Sequence, residues 1–280
     1  IATLKALFDA RPGQIAAVML EPATTTIPCP SRCQAETAWP ALACSACPAH
    51  QYNFLKAVQS LCQAEGSLLI FDEMITGFRW HLSGAQTFFN VHPDLSTFGK
   101  AMAYGFSVAA VGGRREIMEE GAINIPGKER TFLLSSTHGA EMTGLGAFLE
   151  TVKIYQEEAV IAHLWDYGRR LRDGLKAVAL RWDLSQYVYT EGPAIALNYV
   201  TRDREGQASL PFRSLLAQEL LKQGVMMPWI AISYAHGERE LEHTLDAFER
   251  ALSVYARALE EGVEKFLQGP AIRPVFRAYN

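Results

Sequence analysis

The sequence predicts an α/β protein with a mostly parallel sheet, because short apolar runs alternate with segments of helical periodicity. Residues 15–20 and 68–71 are apolar runs of the kind that form buried strands. Between them, apolar residues at helical spacing from Phe54 to Cys62 predict a helix that ends near Gly66. Strands that alternate with helices form parallel sheets, so we expect helices on both faces of this sheet.

The next part of the chain continues this alternation. Residues 94–98 lead into a glycine-flanked loop, and residues 107–111 predict a short strand that ends before Gly112 and Gly113. In open parallel sheets, ligands bind at the carboxyl ends of the strands. Polar side chains directly after the predicted strands are therefore candidates for a functional site.

The pattern divides the chain into three parts. We expect a first domain over residues 1–140, a long connecting helix over residues 141–179, and a smaller α+β domain over residues 180–280. In the last part, the predicted elements are strands at 187–189, 194–197 and 229–234, and helices at 212–223 and 238–267. Trp229 and Tyr234 flank a predicted strand, so we expect them in the core.

Composition argues against several classes of protein. The 280 residues carry a formal net charge of -4 and include no polybasic run, which argues against nucleic-acid binding. No apolar stretch reaches the ~18 to 20 residues that a membrane span needs. The chain starts at Ile1 without a signal peptide, so we expect an internal fragment or a processed piece with a cytoplasmic location.

Asp72 and Lys100 form the most informative pair in the sequence. Asp72 directly follows the apolar run 68–71, and Lys100 follows Gly99 on the loop after residues 94–98. A lysine amine can form a Schiff base, and a carboxylate can hold a heteroaromatic nitrogen protonated. The chemistry of pyridoxal phosphate (PLP) uses both groups, because its ring is an electron sink.

Each candidate residue also has a simpler interpretation when it is taken alone. Asp72 can cap a helix, Lys100 can be solvated in a turn, and the hydroxyl cluster around Thr137 can be an N-cap. Hydroxyls and free backbone amides at a helix start, as at Thr137, also bind phosphate well. The pattern favours a cofactor site when the three residues are considered together.

Two stretches of sequence carry a family resemblance. They are Phe71-Asp72-Glu73-Met74-Ile75-Thr76-Gly77-Phe78-Arg79 and Pro93-Asp94-Leu95-Ser96-Thr97-Phe98-Gly99-Lys100-Ala101. Both resemble signature segments of the class III aminotransferases, which are PLP enzymes of fold type I. The resemblance covers nearly the whole chain and is nearest to the branch named for glutamate-1-semialdehyde 2,1-aminomutase. It implies that residues 1–140 are the carboxyl-terminal part of a PLP-binding large domain, and that residues 180–280 are the small domain.

The resemblance implies a role for each matching residue. Lys100 resembles the Schiff-base lysine, Asp72 the partner of the pyridinium nitrogen, and Met74 the residue that packs on the cofactor ring. Thr137 resembles a phosphate-binding threonine that reaches into the neighbouring subunit's site, which implies a homodimer. Gln86 resembles a family position to which the sequence assigns no role.

The implied activity is PLP-dependent transfer of an amino group from a small-molecule amine donor to a carbonyl acceptor, such as a small aldehyde or a keto-sugar. Intramolecular amino exchange, as in the aminomutase, is the alternative. Family members carry an amino-terminal segment before the point where this chain starts, and that segment cradles the cofactor phosphate and stacks on the ring. A truncated, non-catalytic paralogue is therefore a second alternative.

A cysteine-rich insertion over residues 29–50 departs from the family pattern. Cys29, Cys33, Cys44 and Cys47 can supply four thiolates to a structural zinc ion, with a nearby histidine in reserve. An inserted loop with unligated thiols is the alternative.

Overall fold

The chain folds into two compact units, Ile1–Ala162 and His163–Asn280. The computed structural model describes residues 1–23, 54–121, 125–127, 129, 139 and 141–274. Within these residues, the helices are all too short or too polar to cross a membrane. Each unit has its own set of buried apolar side chains.

The first unit is built around a small sheet with helices packed against it. Its strands are β1 (Ala17–Leu20), β2 (Leu68–Asp72), β3 (Leu95–Phe98) and β4 (Ala110–Gly113). Its helices are α1 (Ala2–Ala10), α2 (Phe54–Glu65), α3 (Ala85–Phe88), α4 (Arg115–Met118) and α5 (Met142–Glu157), and α6 (Val160–Arg181) runs on into the second unit. The predicted helix after Phe54 is confirmed, because α2 buries Leu55, Val58 and Cys62 at helical spacing.

The sheet has the order β1-β2-β3-β4 and is mostly parallel, as predicted. β1 and β3 both pair with β2 in parallel, whereas β4 pairs with β3 in the antiparallel sense. A parallel crossover needs a dozen or more residues, usually in a helix, and the connection from β3 to β4 contains only a short 3₁₀ turn. The chain therefore turns back on itself after β3.

β4 lies two to three residues beyond the strand predicted at residues 107–111. Gly112 and Gly113 belong to the ladder, opposite Ser96 and Leu95, instead of ending the strand. The backbone at Gly113 approaches β3 so closely that a Cβ there would overlap the carbonyl oxygen of Asp94. Gly113 therefore serves close strand packing and not a turn.

The helix predicted over residues 141–179 is two helices, α5 and α6. Ala159 has φ +50°, in the left-handed region that side chains disfavour. The backbone N–H of Glu158 donates to the carbonyl of Ile154 and closes α5 before this residue. The predicted helical stretch is therefore interrupted at Glu158 and Ala159, where the sequence Glu157-Glu158 marks a possible bend.

The second unit combines a two-stranded antiparallel sheet with two packed helices. They are β5 (Val188–Glu191), β6 (Asn198–Thr201), α7 (Leu210–Lys222) and α8 (Glu238–Glu261). Leu215 and Leu216 of α7 and Leu252 of α8 are fully buried between these elements. Residues 194–196 form a 3₁₀ turn instead of the predicted strand, which begins at residue 198.

Trp229–Tyr234 form no strand, contrary to the prediction. The Tyr199 hydroxyl lies 3.1 Å from the carbonyl oxygen of Pro228, and Arg213 donates to the same oxygen at 3.2 Å. Side-chain donors thus hold the backbone just before the predicted strand. The aromatic residues at the two ends of this segment are 67% and 41% exposed, so the expectation that both lie in the core is wrong.

Candidate active site

The sheet brings the two predicted signature segments together at one edge. Asp72 ends β2 and lies opposite Thr97 of β3, and Lys100 begins a 3₁₀ turn just after β3. Because β2 and β3 are parallel neighbours, both segments leave the same carboxyl end of the sheet. Met74 packs against Gly99 so closely that a Cβ at Gly99 would overlap its thioether. The Met74 side chain of one segment is thus in direct contact with the backbone of the other.

The Asp72 carboxylate is half-buried and oriented by two donors. Its Oδ1 accepts hydrogen bonds from the Met74 backbone N–H at 3.0 Å and from the Thr97 hydroxyl at 3.2 Å. Both hydrogen bonds that this carboxylate accepts from the described residues go to Oδ1. The arrangement fixes the plane of the carboxylate and leaves Oδ2 for a further donor.

Lys100 lies in a strained backbone conformation beside a cavity. Its φ is +45°, in the left-handed region, and its side chain is exposed. The cavity has a volume of about 350 Å³, and its wall includes Lys100, Met74, Ile75, Arg79 and Tyr104. Lys100 therefore lines a concave site whose other walls are largely apolar.

Helix α5 supports the turn that carries Lys100. The hydroxyl of Tyr155 on α5 donates to the carbonyl oxygen of Ala101 at 3.1 Å. Burial raises the pKa of Tyr155, so this hydroxyl remains a donor throughout the ordinary pH range. Gly144 allows α5 to approach the following loop, because a Cβ there would lie 2.6 Å from a methyl group of Val108.

Glu73 is a buried acid to which the sequence assigned no role. Its side chain is fully buried, and its two carboxylate oxygens accept from the backbone N–H groups of Ala85 and Gln86, both at 2.8 Å. The Thr76 hydroxyl also donates to this carboxylate. Burial raises the pKa of Glu73, although the three donors act in the opposite direction. The alternation of side chains along a strand was the sequence signal for this difference. It points consecutive side chains to opposite faces of the sheet, so Glu73 faces away from Asp72.

Several predicted site residues lie outside the described part of the chain. They are Thr137 and the four cysteines Cys29, Cys33, Cys44 and Cys47. Among the residues that the structure does describe, no group of three or more histidine, cysteine or acidic side chains can hold a metal ion. The phosphate-binding role of Thr137 and the zinc site thus stay predictions.

Other cavities lie within the second unit. One of about 230 Å³ is lined by Tyr167, Trp229 and His236, and one of about 410 Å³ by Arg172 and Lys176. Neither is lined by a predicted site residue. The Lys100 cavity is smaller than the second of these, but it alone among the three is lined by predicted site residues, Lys100 and Met74.

Comparison with known families assigns the chain that carries this site to a family. Residues 46–236, more than half of the chain, match the class-III aminotransferases. The chain belongs to this family. The family resemblance carried by the two signature segments is therefore confirmed.

Individual class-III relatives are similar over most of this chain. It is 30% identical over 258 residues to the glutamate-1-semialdehyde 2,1-aminomutase of Alkaliphilus oremlandii (strain OhILAs), which covers 90% of this chain. It is 31% identical over 265 residues to the protein of the same name from Chlorobaculum tepidum, again over 90% of this chain. The chain spans 56% of the length of each of these two relatives. The predicted similarity to the aminomutase branch is confirmed.

Solved structures show the fold of this aminotransferase family member. The FumI protein of Sphingopyxis sp. MTA144, in its PLP internal aldimine form, superposes with a TM-score of 0.72 at 24% identity, over 93% of this chain and 56% of that one. An omega-transaminase from Sphaerobacter thermophilus gives a TM-score of 0.71 at 23% identity, over 91% of this chain and 56% of that one. The predicted fold class, an α/β fold of the PLP-dependent type I, is confirmed.

Proposed function

We propose that the protein containing this chain is a PLP-dependent enzyme that transfers amino groups from a small amine donor to a carbonyl acceptor, with Lys100 as its covalent anchor. The observation that carries the proposal is that Lys100 lines a cavity just beyond the carboxyl ends of two parallel strands, one of which ends in Asp72. Membership of the class-III family supports it. Because the chain spans 56% of its relatives' length, the proposal concerns the whole protein.

The residues present fit this cofactor. The cavity of about 350 Å³ falls within the range of small-molecule sites, roughly 300–1,000 Å³. Asp72 offers Oδ2 to a ring N–H while its other oxygen is held by two donors. The Met74 thioether supplies the polarizable, apolar surface that an aromatic ring packs on.

Each residue has a defined task in the proposed reaction. When bound, PLP supplies an electron sink for the electron pair left behind as the substrate carbon loses its proton. Lys100 Nζ would hold the cofactor in the resting protein and would move that proton during the reaction. Asp72 keeps the pKa of the ring nitrogen high by pairing with its protonated form. Met74 would pack against the face of the cofactor ring.

Proton exchange tests this activity without knowledge of the natural substrate. The full-length protein, loaded with PLP, is incubated in D₂O with a panel of amino acids and simple amines, and NMR follows the proton on the amine-bearing carbon. We expect exchange that Lys100→Ala abolishes and that Asp72→Asn slows on the order of 10²- to 10³-fold. PLP binding without exchange for any amine of the panel would contradict the proposal.

Intramolecular amino exchange is a second candidate, and the names of the similar curated proteins favour it. Mass spectrometry of the products separates the two activities. Transfer between molecules changes the masses of donor and acceptor, whereas intramolecular exchange yields an isomer of unchanged mass. Formation of both product types from one substrate would favour a transferase that loses its intermediate.

The predicted homodimer rests on the resemblance of Thr137 to a threonine that reaches a neighbouring subunit's site. We infer that two copies share their active sites through this residue. Mixing full-length Lys100→Ala with full-length Thr137→Ala tests this inference, because a mixed dimer would contain one site free of both substitutions. Recovery of proton exchange on mixing is expected, and no recovery would contradict shared sites.

We also propose that the four predicted cysteine ligands hold a structural zinc ion. The support is their paired spacing in the sequence. Metal analysis of purified protein is expected to give about one zinc per chain, which substitution of Cys44 and Cys47 by serine removes. Zinc-free protein with unchanged stability would contradict the site.

A further inference from the structure

The loop after β2 forms one wall of the Lys100 cavity. We call residues 74–84 the wall loop. Three of its side chains, Met74, Ile75 and Arg79, line the cavity. The positions of these side chains relative to Lys100 therefore depend on what holds the wall loop in place.

A single buried side chain joins the two ends of the wall loop. The Glu73 carboxylate accepts from the Thr76 hydroxyl near the start of the loop. It also accepts from the backbone N–H groups of Ala85 and Gln86, directly after the end of the loop, at 2.8 Å each. Without this carboxylate, the buried amide of Ala85 and the partly buried amide of Gln86 at the start of α3 would lose their acceptor.

The backbone of Glu73 ties the same point to the strand that leads to Lys100. Its N–H donates to the carbonyl oxygen of Thr97 on β3 at 3.0 Å. Its own carbonyl oxygen accepts from the N–H of Gly77, inside the wall loop, at 2.8 Å. Glu73 thus connects the wall loop, α3 and β3.

Two glycines give the chain room for these contacts. Gly84 has φ +84°, and a Cβ there would lie 2.5 Å from the Glu73 carboxylate. A Cβ at Gly77 would lie 2.7 Å from the Glu73 carbonyl oxygen. Any larger residue at Gly84 would displace the carboxylate from its donors.

The surroundings of Glu73 make an acid costly at this position. Trp80, Phe88 and Phe89 are buried and pack together with ring centroids 5.0–5.3 Å apart, so the wall loop meets α3 in a largely apolar layer. An apolar residue would fill such a layer without the desolvation that a carboxylate suffers. Burial alone therefore does not explain why residue 73 is an acid. The need for a hydrogen-bond acceptor at both ends of the wall loop does explain it.

We propose that Glu73 is a positioning residue for the lysine site, because its carboxylate fixes the wall loop and with it the places of Met74, Ile75 and Arg79. This inference rests on the proposed function, in which Lys100 carries PLP. Glu73 touches neither the cavity nor the proposed cofactor. It acts through the loop that it holds.

The test compares two buried glutamates in the full-length protein. Glu73→Gln keeps the shape of the side chain but places an NH₂ group among three donors, whereas Glu219→Gln alters a buried acid of the second unit, bonded to Lys222. Hydrogen–deuterium exchange without PLP reports on residues 74–88. Titration with PLP, followed by its visible absorption, reports the dissociation constant and the band position.

We expect Glu73→Gln to speed exchange in residues 74–88, to shift the visible band, and to weaken PLP binding by on the order of tenfold or more. Glu219→Gln should change none of these at matched temperature. Thr76→Val removes one donor and leaves the carboxylate, so it should give a smaller effect in the same direction. This milder variant keeps the test valid if Glu73→Gln does not fold.

Two outcomes overturn the inference. One is a folded Glu73→Gln protein with wild-type exchange, PLP affinity and band position. The other, if only Thr76→Val folds, is a Thr76→Val protein that matches the wild type in all three. Failure of the proposed function gives a different result. The wild-type protein would then form no bond between PLP and Lys100 that borohydride reduction traps. The hydrogen–deuterium exchange comparison would still report on the wall loop.

Discussion

At the scale of single residues, Lys100 combines its proposed chemistry with a backbone conformation that its side chain disfavours. A left-handed residue other than glycine costs about 1–2 kcal/mol. The carbonyl of Ala101, held by Tyr155, and the close contact between Gly99 and Met74 keep the turn in place on either side. Strain of this kind collects at functional sites, where the surrounding structure over-determines it.

Two substitutions at this position separate the strain from the chemistry. Both Lys100→Gly and Lys100→Ala remove the amine and should abolish activity equally. Glycine relieves the unfavourable φ, so Lys100→Gly should unfold with a free energy on the order of 1 kcal/mol higher than Lys100→Ala. Urea unfolding of the two variants measures this, and an alanine variant as stable as the glycine variant would contradict the strain.

The sequence predicts Asp72 and Lys100 as candidate site residues, because apolar runs mark the strands and ligands bind at strand ends. It does not reveal the role of Glu73, since no local pattern tells which donors a buried acid will meet. The three donors to Glu73 become neighbours only when the wall loop closes. Roles that depend on such closure need the tertiary structure.

At the scale of elements, the wall loop contains a histidine that the fold keeps neutral. The Nδ1 atom of His81 accepts from the backbone N–H of Ser83 at 3.0 Å, which requires an unprotonated nitrogen. Burial lowers the pKa of His81 below its ordinary value of 6.5. Its contribution to stability is therefore fully present above pH 6.5 and is lost as the pH falls through the lower pKa of the folded state.

This titration predicts a pH-dependent loss of stability. Between pH 7.5 and pH 5, the free energy of unfolding of the wild type should fall relative to that of His81→Gln, which cannot take up a proton. Urea unfolding at several pH values gives the difference, with exposed His92→Gln as the control. Parallel curves for wild type and His81→Gln would show that His81 is not responsible.

Helix α6 offers a matched pair of glycines within the second unit. A Cβ at Gly168 would overlap the backbone carbonyl of Ala194, whereas a Cβ at Gly174 would meet only the end of the Leu245 side chain. We expect Gly168→Ala to destabilise the protein by about 1–3 kcal/mol. Gly174→Ala should cost much less, because Leu245 can rotate and alanine gains about 1 kcal/mol of helix propensity. Equal unfolding free energies for the two variants would contradict the packing at Gly168.

Two elements show where periodicity fails. The apolar stripe continues from α5 into α6, although Ala159, with φ +50°, interrupts the helix between them. Residues 229–234 have a strand-like composition, yet side chains of Tyr199 and Arg213 take the carbonyl oxygen of Pro228 just before them. The break at Ala159 adjoins Glu157-Glu158, a possible bend in the sequence, whereas the contacts at Pro228 leave no sequence pattern.

At the scale of the whole molecule, the class-III fold explains why the candidate site lies where it does. The parallel strands β2 and β3 end at one edge, so both signature segments emerge there. The antiparallel β4 returns the chain along β3 and closes the lysine loop. Fold class was predictable from sequence because alternation of strands and helices is repeated along the chain, and repeated signals tolerate local errors.

The central claim is that Lys100 is the covalent anchor of the cofactor. The most direct measurement is borohydride reduction of the full-length protein loaded with PLP, followed by digestion and mass spectrometry of the peptides. The account predicts a stable label on Lys100, and no label on the corresponding peptide of Lys100→Ala. A label on a different lysine, or no label at saturating PLP, would contradict it.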